Sequence, residues 1–456
     1  MKYILLTLMM MTFFGCGAED TPSTGNETSR QAGNCTHNAV SERTVNIYIH
    51  GYDQEGEKET DTYGNDESDE VLKNIAKTTG YATMENYKQE SNKDIIVMTD
   101  YYGKNAPEYY SPEDRQDIDN VKEGIPRYAL IVAKYVRHIL KVTKTQNVNI
   151  ISASMGTLVS RYLIEKNLEN LSSEKKIKKW LSFEGVIHGN IAASKEDLKD
   201  ILDIFKPQPV EVEQMQYKWV KKNLNINSPY FNNIQIGFES STNDDLSKKA
   251  LTKLLLIDGG FDYTPNDGVQ AVKDTFFKNP CTHVLFHETH SSLVDNMAVW
   301  GFAATFLTSK KHVRITLTEA VVTDLHERLS SNAEIVFESS VHSLKAQEKW
   351  NFEKAIDERL LDSGYLKRYK YKNAGDKKAL NQVVFNSYIL DSEDKLTLEI
   401  TPYELDLNVK YGVKELSDNK KESLGKGTSP VPMKNGTYEI SGADWRGKVK
   451  VEVDNY

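Results

Sequence analysis

Only three cysteines occur among 456 residues, at positions 16, 35 and 281, so this is not a scaffold held together by a disulfide framework. At this length the chain needs no such staples, because its apolar residues suffice for ordinary hydrophobic cores. Twelve prolines and 26 glycines are too few for a collagen-like or low-complexity protein. Basic charge is also scarce: 57 Lys and Arg stand against 66 Asp and Glu, a net charge of −9, which argues against a nucleic-acid partner. The sequence contains neither an HExxH pair nor a Gly-rich phosphate loop, so metal-assisted hydrolysis and nucleotide chemistry lack their usual supports, and no metal or cofactor is expected. What remains is a folded chain of two or three domains at ~150 residues each.

The one long apolar stretch lies at the N-terminus. Lys2 is followed by Tyr3 to Phe14, broken only by threonines and too short to cross a bilayer. It ends in Phe13-Phe14-Gly15-Cys16-Gly17 and turns polar at Glu19-Asp20. This resembles a bacterial lipoprotein signal, which implies removal of residues 1–15, a lipid on Cys16, and attachment to a membrane of the cell envelope. Two phenylalanines stand where such signals usually carry Leu and a small residue, and an ordinary secretory peptide cut after Ala18 is the alternative. Either reading makes the protein exported. Residues 16–43 are polar and without periodicity, a tether. In an oxidising compartment Cys35 and Cys281 can pair, but the sequence does not choose between a pair and two unrelated thiols.

Beyond the tether, Val45 to His50 alternates like a strand and stops at Gly51. A helix is predicted around Asp69–Thr79, then a buried strand over Asp94–Met98. From Pro112 onward the spacing of Ile125, Tyr128, Ile131, Val132, Tyr135, Val136 and Ile139 predicts one long amphipathic helix to about Thr143. Val148–Ser152 reads as a strand and Met155–Lys166 as a helix. Trp180–Ile187, Asn233–Phe238 and His283–Phe286 read as further strands, and Ser292–Thr308 as a helix. Such alternation predicts an α/β fold, a mostly parallel sheet with helices on both faces, over residues 44–308. Residues 189–249 are charged and helix-prone, an insertion. After Ser309-Lys310-Lys311 the texture changes to seven short strands, Val313–Leu317, Ile335–Glu338, Tyr369–Tyr371, Val383–Tyr388, Leu396–Thr401, Tyr438–Ile440 and Val449–Val453, which predict a C-terminal β-sandwich over 312–456.

The chemistry concentrates at Val148-Asn149-Ile150-Ile151-Ser152-Ala153-Ser154-Met155-Gly156. An apolar strand runs into small-x-Ser-x-Gly and a helix follows, the context of a nucleophile elbow, in which Ser154 projects toward the N-terminal amides of the helix. Ser152 replaces the usual first glycine but is still small. A nucleophilic serine needs a base, and the base needs an orienting carboxylate. His290 follows the strand His283–Phe286, on the sheet edge where Ser154 projects. His287 is its rival, while His283, at the strand's start, reads as structural. For the acid, Asp267 in Asn266-Asp267-Gly268 lies 23 residues before His290, with Asp258 and Asp262 as alternatives. Finally, His50-Gly51-Tyr52-Asp53 follows the first strand. The amides of Tyr52 and Met155 can form an oxyanion hole, with His50 bracing the loop.

Taken in order, Ile49–Asp53, Ser152–Gly156, Asn266–Val269 and His290–Leu293 resemble the α/β-hydrolase lipases and esterases of bacteria, and Trp180–Gly189 resembles that family's strand ending in Thr-Pro-His-x-Gly. The resemblance implies a serine carboxylic-ester hydrolase in which Ser154, Asp267 and His290 form the triad, acting on an acyl-ester or lipid substrate, with 189–249 where the family carries its lid. Several members bind calcium through an Asp two residues past the histidine. Ser292 stands there, so the resemblance carries no calcium site to this chain. The stretch Asn381–Asp406 looks somewhat like a C2-type lipid-binding domain, with an acidic set reduced to Glu404 and Asp406. Two other classes remain compatible with the sequence: a non-catalytic surface adhesin on the same scaffold, and a serine peptidase or acyltransferase.

Overall fold

The computed structural model describes residues 35, 43–52, 62–65, 70–194, 209–241, 266–277, 280–286, 288–325, 333–343, 345, 369–405 and 421–455. The predicted signal sequence, Cys16 and most of the stretch 16–43 predicted to be a tether lie outside them. Residues 45–286 build one seven-stranded sheet: β1 (Val45–Ile49), β2 (Gly64–Asn65), β3 (Ile95–Asp100), β4 (Val148–Ala153), β5 (Ile177–Phe183), β6 (Gln235–Ser241) and β7 (Thr282–Phe286), in the order β2-β3-β1-β4-β5-β6-β7. All neighbours are parallel except β2, which runs antiparallel to β3 at the edge. Every residue of β1, β3 and β4 is buried, as in strands covered on both faces.

Successive side chains enter different cores. Ile47 and Ile150 pack into one cluster with the helices Ile125–Thr143 and Met155–Glu165. Tyr48 and Ile151 pack into another with the helices Glu70–Thr79 and Met297–Thr308. The period-2 pattern thus becomes a sheet with helices on both faces. Because β1 lies between β3 and β4, the chain leaves it first to one side and then to the other. The carboxyl ends of β1 and β4 therefore flank a topological switch point, where open α/β sheets form their crevices.

Three expectations need correction. The predicted long helix is two: Pro112–Asp119, opened by a Ser111–Asp114 capping box, and Ile125–Thr143. They separate at Gly124, whose φ of 91° is left-handed. The predicted strand Trp180–Ile187 lies at Ile177–Phe183 instead, because Glu184 turns into the left-handed region at φ 46°. Val186 and Ile187 are buried in the loop beyond it, so their apolar character reflects packing rather than pairing. The stretch 189–249 is not wholly an insertion either. Its described part holds short helices, but it also supplies β6, an interior strand. Residues 195–208, central to the lid reading, lie outside the described residues.

Residues 311–455 form two antiparallel sheets packed face to face. One contains β8 (Lys311–Val322), β11 (Lys377–Ile389), β15 (Gly436–Ser441) and β16 (Trp445–Asn455). The other contains β9 (Ala333–His342), β10 (Tyr369–Tyr371), β12 (Lys395–Leu405), β13 (Lys421–Ser423) and β14 (Gly427–Pro432). Alternate residues such as Ile315, Phe337, Leu398 and Val449 fill the space between them. The sandwich has nine strands among the described residues, two more than predicted. Both missed strands are short and rich in Ser, Gly, Pro and charge, composition that sheet edges tolerate. Glu404 lies inside β12 and is buried, so it does not belong to an exposed acidic loop. Asp406 lies outside the described residues.

The sandwich joins the parallel sheet at β7. Thr282 and Ser387 hydroxyls meet at 2.6 Å, His312 Nε2 lies 2.8 Å from the Cys281 carbonyl, and Asn386 donates to Pro280 O at 3.0 Å. Cys35 and Cys281 form a disulfide at this seam, and the Tyr388 hydroxyl donates to the Cys35 carbonyl at 2.6 Å.

Candidate active site

Ser154 sits where β4 gives way to the helix Met155–Glu165, with φ 49° and ψ −122°. A side-chain-bearing residue holds such a conformation only at a cost of about 1–3 kcal/mol, so its surroundings must impose it. They do. The Ser154 amide donates to Phe183 O at 2.9 Å, and its carbonyl accepts from Thr157 N and Val186 N, each at 3.1 Å. Gly156 is required sterically: a Cβ there would lie 2.2 Å from His50 O and 2.5 Å from Ile49 O. The departure at Ser152 also has a reason. Its buried hydroxyl accepts from Trp180 Nε1 at 2.9 Å and meets Ser160 Oγ at 3.1 Å and Thr157 Oγ1 at 3.2 Å, a polar network beneath the elbow.

His290 Nε2 is 2.9 Å from Ser154 Oγ, and its Nδ1 is 2.7 Å from Asp267 Oδ2. With the proton assigned to Nδ1, the second nitrogen is left to accept from the serine hydroxyl. Asp267 is buried, and the Asn-Asp-Gly turn holds it in place. Its Oδ1 accepts from Val269 N at 2.8 Å and Gln270 N at 2.6 Å, while its own carbonyl accepts from His290 N at 3.2 Å. Turn chemistry and acid placement are here one feature. The loop that carries the histidine is tied internally: Ser292 Oγ accepts from Thr289 N at 2.9 Å and donates to Glu288 Oε2 at 2.7 Å.

The His50–Tyr52 loop crosses in front of the elbow. A Cβ on Gly51 would come within 3.0 Å of Ser154 Cβ and 3.6 Å of its Oγ, so glycine permits this approach. His50 stacks on Tyr101 with ring centroids 4.3 Å apart, and the Tyr101 hydroxyl donates to the His50 and Gly51 carbonyls at 2.8 and 2.9 Å. These contacts brace the loop. Met155 is the first residue of the helix, immediately after Ser154.

Of the alternatives, His287, Asp258 and Asp262 lie outside the described residues. His283 lies within β7 with its Nε2 3.2 Å from Ser240 Oγ, and its burial pushes its pKa down to about 3. His188 Nε2 lies 3.0 Å from Phe276 O and fixes a neighbouring loop. One residue beside the triad escaped the sequence reading: Glu184, whose Oε2 is 3.2 Å from His290 Nδ1. The available signal was a lone carboxylate between Phe183 and Gly185 at the end of an apolar strand. Among the described residues, Glu184, Asp267 and His290 are also the one set whose ligand atoms, all within 4.8 Å, suit a metal. Since Asp267 and His290 already bond each other, the set is first a hydrogen-bonded relay.

No family model matches the sequence, and no curated protein matches it. Among solved structures, a Bacillus licheniformis lipase in its propeptide form is 12% identical, with 91% of this chain and 94% of that chain covered and a TM-score of 0.39. The mature form of that lipase is 14% identical, covering 57% of this chain and 89% of its own, with a TM-score of 0.38. A Legionella pneumophila phospholipase is 15% identical, with 51% and 45% covered and a TM-score of 0.31. These likenesses are distant.

Proposed function

We propose that this protein is a serine carboxylic-ester hydrolase working through an acyl-enzyme. The observation that carries the reading is the continuous relay from Ser154 Oγ through His290 to Asp267, at 2.9 and 2.7 Å, on a strained elbow. In this reading Ser154 Oγ attacks the ester carbonyl as His290 Nε2 takes its proton, and Asp267 holds the imidazole tautomer and steadies the imidazolium. The carbonyl oxygen becomes anionic between the amides of Tyr52 and Met155. His290 returns the proton to the leaving alcohol, then activates water to release the acid. A non-catalytic adhesin would require no such relay. A Ser154–His290 separation well beyond ~3.5 Å would have favoured it, and the 2.9 Å contact weighs against it.

The test is hydrolysis of a short p-nitrophenyl ester, together with labelling by a fluorophosphonate and mapping of the modified residue. Ser154→Ala should keep the fold and lose ~10⁴–10⁶ in rate, down to what binding and the oxyanion donors alone supply. A folded Ser154→Ala protein that retains most activity would end the hydrolase reading.

Export with a lipid on Cys16 belongs to the same proposal. The Cys35–Cys281 disulfide supports an oxidising compartment. Metabolic labelling with a fatty acid, lost in Cys16→Ser, tests the anchor.

A further inference from the structure

His290 Nδ1 faces two carboxylates. Asp267 Oδ2 lies at 2.7 Å and Glu184 Oε2 at 3.2 Å. The Glu184 side chain is 3% exposed, and its other oxygen accepts from Ser241 Oγ at the end of β6. Its backbone has φ 46°, and its amide donates to Glu239 O at 2.8 Å. The next residue, Gly185, has no room for a Cβ, which would fall 2.5 Å from Thr157 Cγ2. The flanking residues Phe183 and Val186 bond the backbone of Ser154 itself. The aim of Glu184 is thus fixed by the same strand end that fixes the nucleophile.

A buried carboxylate is expensive to hold as an anion, and it gains little beside a neutral imidazole. When the proton of Ser154 reaches His290, an imidazolium appears 3.2 Å away and the attraction to the buried carboxylate grows. An interaction that strengthens only as the transition state is approached raises kcat rather than affinity. We propose that Glu184 is a positioning residue of the site, a second acceptor for the His290 Nδ1 proton that shares the imidazolium with Asp267 and orients the ring when Asp267 cannot. The proposal rests on the ester-hydrolase reading.

The experiment is a double-mutant cycle on the full chain, measuring kcat and KM for a p-nitrophenyl ester and the unfolding midpoint of each variant. Glu184→Gln, whose amide oxygen still accepts from Ser241, should lower kcat about 3- to 30-fold with KM little changed, and Asp267→Asn should lower it ~10²–10³-fold. The double variant should lose more than the product of the two single losses, approaching the floor set by Ser154→Ala. Glu184→Asp, which keeps the charge on a shorter arm, should recover part of the Glu184→Gln loss. It also serves as the second route into the cycle if the glutamine variant unfolds. A double variant equal to the product of the singles, or Glu184→Asp no better than Glu184→Gln at equal stability, would overturn the proposal. Activity surviving in Ser154→Ala is the separate outcome that would overturn the hydrolase reading itself.

Discussion

Seven positions separate His283 from His290, and surroundings alone give the two rings different work. His283 lies inside β7 against Phe276 and Ser240, where burial lowers its pKa to about 3. The unfolded chain takes up that proton near pH ~6.5 and the native protein does not, so stability present above pH ~6.5 is lost as pH falls toward 3. At pH 4.5 the loss is of the order of 2–3 kcal/mol. His283→Gln should therefore flatten the drop in unfolding midpoint between pH 7 and pH 4.5 while leaving ester hydrolysis largely intact. An unchanged slope would show that the buried ring is not what makes the fold acid-sensitive. Both rings were distinguishable in the sequence by their places at the start and beyond the end of one strand. Ser154 was legible from nine consecutive residues, and Asp267 from its turn and its distance to His290. Glu184 was not, because its contact spans 106 positions and depends on a left-handed φ that no local pattern announces.

At the level of elements, the elbow depends on the absence of one methyl group. A side chain at Gly156 would enter the carbonyls of Ile49 and His50, which belong to the end of β1 and the loop beside Ser154. Gly156→Ala should therefore shift the helix away from β1, costing about 1–3 kcal/mol by overpacking and disturbing the geometry of Ser154. A thermal melt and fluorophosphonate labelling would report both losses, and a stable, fully reactive variant would show that β1 yields more easily than its packing indicates. The strands of the parallel sheet were readable because continuous apolar runs such as Val148–Ala153 fit a two-sided burial. Breaks were harder to see. The gap before Ile125 turns on one left-handed glycine within an amphipathic pattern that otherwise continues, and the apolar pair Val186-Ile187 mimics a strand while packing in a loop. In the sandwich, the alternating core Val313–Leu317 of the longer strand Lys311–Val322 declared itself, whereas Gly427–Pro432 pairs through a sequence that local propensity assigns to a turn.

Across the whole molecule, the disulfide closes a loop of 246 positions and joins Cys35, ahead of β1, to Cys281, next to the strand before the histidine loop. Cross-links over long loops restrict the unfolded ensemble most, with about 3–5 kcal/mol expected here. Cys281→Ser should lower the unfolding midpoint accordingly, and reductant should do the same to the parent protein, while kcat/KM at low temperature stays near the parent value. Equal midpoints with and without reductant would show that the hydrogen bonds and packing of the seam suffice.

The position of that cross-link also decides where a mechanical pull is felt. In a protein held to a membrane through residue 16, tension along the chain reaches Cys35 before it reaches Val45. It passes through the sulfurs to Cys281, next to β7 and to the sandwich residues His312 and Asn386 that grip this seam. Strand β1 then stays off the line of force, and so does the His50–Tyr52 loop at its end. In the reduced protein the same tension would fall on Val45 and draw β1 out from between β3 and β4, taking with it the loop that lies against Ser154. Under such an anchor, one covalent bond would separate the strand that bears the load from the strand that shapes the crevice.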